Sequence, residues 1–187
     1  AGGLGELLAR MEIGELVLPQ LSGSDDQGAL QAEVLSLAAR YDVPVTYVEE
    51  PRTVAMGEAA LTVYPPLTQG DVNEEGLTIL CTAGDFDVLI TGDMGSSTER
   101  LLVETYDLPD IEVLVVGHHG SKYATTEELL KTVTPEIGVI SVGENNFGHP
   151  TAEAMDRMAW QGMTLYRTDL QGNIVIQVEG TAEAERG

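Results

Sequence analysis

The sequence is poor in cysteine and in long apolar runs. Cys81 is the single cysteine, so an intramolecular disulfide is impossible, and its place in the alternating stretch LTILCT predicts a buried, inert thiol. No apolar run is long enough to cross a membrane, so we predict no transmembrane segment and expect a soluble domain.

Basic residues are also scarce. The chain has 9 Lys and Arg against 31 Asp and Glu, which gives a formal net charge of −22. This balance argues against a broad basic surface that binds nucleic-acid phosphates. It does not exclude a nucleic-acid substrate, because bound divalent metals can supply positive charge locally. We favour solvation as the role of the charge as a whole.

The length of 187 residues suits a single domain, which we place at residues 1–180, with an unstructured tail at 181–187. Apolar spacing predicts helices at 3–10, 28–40, 97–106, 125–132 and 151–160, with Ser24 or Asp25 and Thr125 or Thr126 as caps. Predicted strands are 15–20, 45–48, 53–56, 61–64, a hairpin of 77–82 and 86–93, then 111–117, 137–142, 164–166 and 173–178. Hairpins dominate the first half, and strand alternates with helix in the second, which predicts a layered α/β domain.

The stretch IEVLVVGHHGSK, residues 111–122, organises the chain. Its apolar run, ended by a glycine, is typical of a strand buried on both faces. The polar cluster that follows would lie at the carboxyl end of this strand, where open α/β folds place their chemistry. Two of the three histidines, His118 and His119, and one of the two lysines, Lys122, occur here.

Polar clusters follow three predicted strands. FDVLITGDMG ends in Asp93, VLVVGHHGSK supplies His118 and His119, and VISVGENNFGHP supplies His149. Imidazoles and a carboxylate are the usual ligands of zinc and similar ions. The sequence therefore predicts a metal or catalytic site at these strand ends. For the asparagines of the last cluster, at 145 and 146, turn formation is the favoured role.

Several segments together resemble one family. TGDMGSSTERLL, VLVVGHHGSK, TTEELLKTVTPEIGVISVG, NNFGHP and YRTDLQGNIVI resemble the C-terminal metallo-β-lactamase-like domain of ComEC-type DNA-internalisation competence proteins. AGGLGELLARMEIGELVLP resembles the part that follows the histidine-rich metal signature of that family. The resemblance implies an αββα sandwich that binds one or two metal ions. The HxHxDH signature itself is not in this sequence, so we expect an N-terminal portion of the domain to be missing and the metal site to be incomplete.

The resemblance also implies roles for individual residues. Asp93 matches an aspartate that can bridge two metals, and His118 matches a metal-ligating histidine. His119, Ser121, Lys122 and His149 would surround the substrate as catalytic residues. For Lys122 we hold contact with a phosphate oxygen and simple solvent exposure as equal alternatives. His149 could donate a proton to a leaving oxygen or support the metal.

The implied function is metal-dependent hydrolysis by a phosphodiesterase or nuclease, with zinc or manganese as cofactor and no small organic cofactor. DNA would be the substrate during competence uptake, and the membrane channel portion of a bacterial parent protein would be the partner. Three alternatives stay open. The chain could be a non-catalytic binding or scaffold domain, or a hydrolase of another ester. It could also be a phospho-receiver, because Asp93 and the pair 25–26 follow predicted strands.

Overall fold

A large mixed sheet forms the centre of the protein, as seen in a computed structural model that describes residues 3–21, 25–69 and 71–178. The first strands along the chain are β1 Leu16–Pro19, β2 Val45–Val48, β3 Arg52–Met56, β4 Ala59–Tyr64 and β5 Thr78–Ala83. The others are β6 Phe86–Ile90, β7 Val113–Val115, β8 Ile137–Ile140 and β9 Thr164–Arg167. The large sheet has seven strands in the order β3-β4-β5-β6-β7-β8-β9, and a separate sheet pairs β1 with β2 in parallel.

The large sheet changes character at β6. Strands β3 to β6 are antiparallel neighbours, as the hairpin-rich first half predicts. Strands β6 to β9 are parallel neighbours, so the chain must cross over between them. The crossovers contain the helices α3 Ser96–Thr105, α4 Glu127–Val133 and α5 Ala152–Trp160. A phospho-receiver is doubly wound, and the antiparallel half of this sheet argues against that alternative.

The N-terminal segment contains the two-stranded sheet and two helices, α1 Leu4–Arg10 and α2 Asp25–Arg40. Glu15 joins it to β3 through two hydrogen bonds donated by Arg52, at 3.0 and 2.8 Å, and also accepts one from Thr46. The Arg52 guanidinium, with Thr46, holds the pKa of the Glu15 carboxyl below its usual value.

One hydrophobic core supports the parallel half of the large sheet. Its fully buried members come from strands and from crossover helices: Leu89, Leu102, Leu114, Leu129, Leu130, Val133, Ile140 and Met158. Each such aliphatic side chain contributes about 1.5–3 kcal/mol when it is removed from water. The predicted burial of the central strand on both faces is confirmed by Val113 and Leu114.

Several sequence predictions differ from the structure in detail. Helix α2 begins at Asp25, earlier than predicted, while the alternative cap Ser24 and the tail 181–187 lie outside the described residues. The central strand covers only Val113–Val115, shorter than 111–117 at both ends, and a turn follows from Gly117. Thr126 caps α4 by accepting a hydrogen bond from the Leu129 N–H, as predicted.

Two predictions are wrong. The stretch 173–178 was expected to be a strand, but it has no regular structure, and Val175 and Val178 are exposed. Alternating sequence indicates which face a residue prefers, but a strand also needs a partner for its backbone groups. The short helix α6, Thr168–Gln171, precedes this stretch and was not predicted. Cys81 is half-buried instead of buried, although burial still raises the pKa of its thiol.

Candidate functional site

The three predicted polar clusters lie at one edge of the large sheet. Strands β6, β7 and β8 are parallel neighbours in register, with Ile90 opposite Val115 and Val115 opposite Val139. Their carboxyl ends therefore meet. The His118 N–H donates a 2.9 Å hydrogen bond to the carbonyl of Gly92, which joins the segment of Asp93 to the histidine turn. The predicted meeting of these strand ends is confirmed.

The turn Gly117–Gly120 separates the two adjacent imidazoles. His118 and His119 both have left-handed backbone conformations, with φ of 49° and 55°, and the Ser121 N–H closes the turn on the His118 carbonyl at 3.0 Å. Non-glycine residues adopt this conformation infrequently, and histidine is among those that tolerate it better. Gly120, the last residue of the turn, packs directly on Pro150. A Cβ atom added at Gly120 would lie 2.5 Å from the proline Cβ.

Asp93 lies close to His119. The His119 Nε2 lies 3.7 Å from the Asp93 Oδ1, and the Nδ1 of the same ring lies 2.6 Å from the Ser141 carbonyl oxygen. Because a carbonyl only accepts hydrogen bonds, Nδ1 must carry the proton, and in the neutral ring Nε2 keeps its lone pair beside the carboxylate. A histidine whose one ring N–H donates a hydrogen bond to a backbone carbonyl, while its other ring nitrogen stays available, is oriented as metal-ligating histidines are.

His149 lies against His118, with the ring centroids 5.7 Å apart and the rings edge to face. Its Nδ1 is buried and has no hydrogen-bond partner within the described part of the chain. Burial lowers the pKa of His149, the neighbouring His118 and His119 lower it further, and Asp93 opposes them. The ring therefore favours its neutral form.

The loop that carries His149 is organised by Asn145. Its amide group donates to the carbonyls of Gly143 and His149, at 2.9 and 2.8 Å. Its Oδ1 accepts from the N–H groups of Phe147 and His149, at 3.0 and 3.1 Å. Asn145 thus has the turn-forming role that its residue type favours.

The two other predicted catalytic residues lie apart from these contacts. Ser121 is only 2% exposed, and its hydroxyl accepts a hydrogen bond from the Tyr123 N–H, a placement that favours a role in holding the turn. Lys122 is exposed, with its Nζ 5.0 Å from the centre of the Tyr123 ring. This exposure is compatible with both predicted alternatives, so contact with a phosphate oxygen stays a prediction.

Two glutamates that sequence reasoning missed hold the site segments in place. Glu99 of α3 is fully buried, and its carboxylate accepts hydrogen bonds from the N–H groups of Thr125 and Thr126. The Thr125 hydroxyl in turn accepts from the Gly117 N–H at 3.0 Å, directly before the histidines. The sequence did carry a signal, because Glu99 precedes Leu102 and Val103 at helical spacing and so shares their buried face.

Glu74 does the same for the segment after Asp93. Its carboxylate accepts from the Gly95 N–H at 3.0 and 3.1 Å and from the Thr98 hydroxyl, at the start of α3. Negative charge is stabilising at a helix N-terminus. No sequence pattern connects this loop glutamate with residues more than twenty positions later.

The donors present fit a metal centre in kind but not in number. Asp93 and His119 have the chemistry and orientation of ligands, and His149 has a buried nitrogen without a partner. However, within residues 3–21, 25–69 and 71–178, no three His, Cys, Asp or Glu side chains are grouped closely enough to hold an ion. A closed metal site usually needs four ligands.

Among curated proteins, the chain is similar to ComE operon protein 3 of Bacillus subtilis, with 27% identity over 173 residues, or 90% of this chain and 22% of that protein. It is 36% identical to competence protein ComA of Neisseria gonorrhoeae, over 62% of this chain and 17% of that protein. Recombination protein 2 of Haemophilus influenzae is 35% identical over 61% of this chain and 14% of its own length. The chain thus spans about a fifth or less of each relative. No family model matches it.

Solved structures with the same fold include CmlA, a diiron beta-hydroxylase from Streptomyces venezuelae. It has a TM-score of 0.53 at 14% identity, over 88% of this chain and 40% of CmlA. Zn²⁺-bound PqqB from Methylobacterium extorquens has a TM-score of 0.50 at 11% identity, over 89% of this chain and 67% of PqqB. Both have the metallo-β-lactamase fold, so the predicted fold class is confirmed. The chain is a metallo-β-lactamase-fold protein, and its sequence is similar to one part of the ComEC-type competence proteins.

Proposed function

We propose that this chain contributes the aspartate–histidine part of a metal-dependent phosphodiesterase centre that cleaves DNA during competence uptake. The observation that supports it best is the proximity of Asp93 and His119, with Nε2 3.7 Å from Oδ1, at the edge where three core strands end and beside His118 and His149. Similarity to the competence proteins favours DNA as substrate, and a membrane channel in the same parent protein as partner. In the described residues no helix is long and apolar enough to cross a membrane.

The contacts support ligand roles that differ in part from those of the resemblance. Sequence resemblance assigns Asp93 and His118 to the metal, whereas the geometry favours His119 as the partner of Asp93, because its Nε2 faces the carboxylate. His118 contacts His149 instead. When bound, zinc or manganese would supply Lewis acidity and lower the pKa of a bound water. With its lowered pKa, His149 is suited to accept a proton near neutral pH more than to donate one.

The chain by itself should bind metal weakly. Asp93 and one or two histidines are too few for a closed site, and the relatives are several times longer than this chain, so they have room for further ligands. Isothermal titration of the isolated chain with zinc and with manganese should show no tight site. Stoichiometric sub-micromolar binding would mean that His118, His119 and His149 complete the ligand set, and the roles above would change.

Activity should be tested in a protein that joins this chain to the additional sequence of its competence relatives. With divalent metal it should hydrolyse DNA, and Asp93→Ala should remove that activity and lower metal content. Asp85→Ala is the matched control, since Asp85 is exposed at the opposite end of β6 and should leave both unchanged. Lys122→Ala should weaken substrate binding without changing metal content.

The second candidate function is a non-catalytic binding domain. The observation in its favour is that no three-ligand group exists in the described residues. If the longer protein holds two metals but cleaves neither single-stranded DNA nor a generic phosphodiester, this candidate replaces the nuclease. Hydrolysis of a different ester by the same protein would instead keep the metal chemistry and change the substrate.

A further inference from the structure

An exposed aromatic ring stands next to the candidate site. Phe147 is 82% exposed, and its ring is close to parallel with the His149 imidazole, at an interplanar angle of 18° and a centroid distance of 6.0 Å. Leaving a phenylalanine side chain in water forgoes about 1.5–3 kcal/mol of burial. Single exposed apolar residues are common, so the surroundings of this one decide whether it has a role.

Hydrogen bonds hold the backbone at Phe147 in place. Its N–H donates to Asn145 Oδ1, and the same oxygen accepts from the His149 N–H two residues later. Because Asn145 also bonds the carbonyls on both sides of the loop, the backbone that presents the ring is held from both ends. A ring held in this way binds a partner at lower entropic cost than a ring on an unconstrained loop.

The ring borders a cleft of about 330 Å³ that also reaches His119 and His149. The remaining wall is formed by Ser141, Val142, Glu144 and Thr168, among others. The Thr168 hydroxyl is already engaged with the backbone of Val142, and the acidic Glu144 also lines this wall. A flat group placed against Phe147 would therefore lie directly beside the histidines.

The net charge of the chain bears on how a nucleic acid could bind at this cleft. With only 9 basic residues and a net charge of −22, this protein has little means of holding a nucleic acid through its phosphates. Stacking of a base on an aromatic side chain is sequence-tolerant and contributes about 1–3 kcal/mol per base, and the stacking contact itself involves no basic group. Bases in a duplex are already stacked and paired, so only an unpaired base can lie on Phe147.

We propose that Phe147 is a stacking platform for an unpaired base of single-stranded DNA, and that it places the neighbouring phosphate at the histidine–aspartate site. The inference rests on the proposed function in taking DNA as the substrate, and it adds that the substrate is a single strand held mainly by its bases.

Binding to the isolated chain without metal tests this separately from catalysis. A fluorescent oligothymidylate should bind more tightly than an abasic strand of equal length, which has the same phosphates and no bases. Phe147→Ala should weaken oligothymidylate binding by roughly 5- to 150-fold and remove the difference between the two strands. Phe147→Trp should retain the affinity. Trp160→Ala is the matched control, because Trp160 is 90% exposed on α5, away from the cleft, and should not matter.

A spectroscopic readout identifies stacking directly. Trp160 is the only tryptophan, so Phe147→Trp combined with Trp160→Phe creates a single reporter at the platform. Its fluorescence should be quenched by oligothymidylate and not by the abasic strand. Affinity should not fall with added salt, because few phosphate contacts release counterions and salt screens the repulsion between the acidic chain and the strand.

Three results would overturn the proposal: no detectable binding of oligothymidylate by the wild-type chain, equal binding of the abasic strand, or unchanged binding by Phe147→Ala. A steep salt dependence that persists in Phe147→Ala would likewise show that phosphates, not bases, hold the strand. If the longer protein does not cleave DNA but base-dependent binding is intact, the nuclease function is rejected and base stacking on Phe147 is still supported.

Discussion

The two halves of the large sheet differ in what they expose and in what they carry. In the antiparallel half, β3 is largely exposed and shows Val54 and Met56 to solvent. In the parallel half, the neighbouring side chains Val113 and Leu114 point to opposite faces of β7, and both are buried. The site histidines all follow strands of the parallel half.

Strand β6 belongs to both halves, being antiparallel to β5 and parallel to β7. Asp93 follows this strand, so the carboxylate enters the site at the point where the sheet changes direction. The antiparallel half also contributes Glu74, from the loop before β5, which holds the segment after Asp93. The hairpins therefore support the site, and the parallel strands supply its histidines.

The largest expected effect tests the difference in burial. Leu114→Ala, in fully buried β7, should lower the free energy of unfolding by about 2–5 kcal/mol. Leu61→Ala makes the same change in half-buried β4 and should cost distinctly less, because part of its side chain already contacts water. Urea denaturation of both variants measures the two costs. Equal losses would mean that the two halves contribute equally to the core.

The next effect tests how the histidine turn is supported. Glu99→Ala should cost about 3 kcal/mol, because it leaves the N–H groups of buried Thr125 and half-buried Thr126 without an acceptor. It should also shift the ring proton resonances of His118 and His119 in NMR spectra. Glu104→Ala, exposed on the same helix, is the control and should do neither. If Glu99→Ala is destabilised but its histidine resonances are unchanged, Glu99 stabilises the fold without positioning the histidines.

A smaller effect concerns the contact between the two histidine loops. Gly120 and Gly148 both have positive φ, 81° and 76°, so alanine should cost about 1 kcal/mol at either position through backbone conformation alone. At Gly120 the new Cβ would also meet Pro150, whereas at Gly148 it meets nothing within 4 Å. Gly120→Ala should therefore cost about 2 kcal/mol in thermal or urea unfolding. If both variants lose the same amount, the loops can move apart freely.

The smallest effect is a pH dependence. Burial raises the pKa of Glu99 above its ordinary 4.5, and hydrogen bonds from Thr126 and Thr125 oppose the rise. The folded protein thus binds this proton more tightly than the unfolded chain does. Its stabilising contribution is fully present below pH 4.5 and is lost as the pH rises through the folded pKa.

Glu99→Gln does not titrate, so the stability difference between wild type and variant should shrink as the pH rises from acid toward neutral. Urea denaturation at a series of pH values measures it, with Glu104→Gln as the control for loss of one charge. A difference that is constant with pH would show that Glu99 does not titrate in this range.

Much of this arrangement could be predicted from the sequence. The apolar runs before Asp93, His118 and the GENNFGHP loop identify three core strands, and glycine after each predicts where they end. Which imidazole meets Asp93 could not be predicted, because it depends on the left-handed backbone of His118 and His119. The residue types allow that conformation without requiring it. The strand prediction for 173–178 was wrong for a related reason, since alternation of apolar and polar residues gives no information on whether a partner strand is present.

The half-buried Cys81 makes the protein convenient for site-specific chemical labelling. Its raised thiol pKa keeps the thiolate, the form that reacts with maleimides and iodoacetamides, scarce at neutral pH. A second cysteine placed at an exposed position near the site, such as Lys122→Cys, should therefore be modified first and with little background. Dyes, spin labels or photo-crosslinkers can then be attached beside the histidines while the natural cysteine is retained.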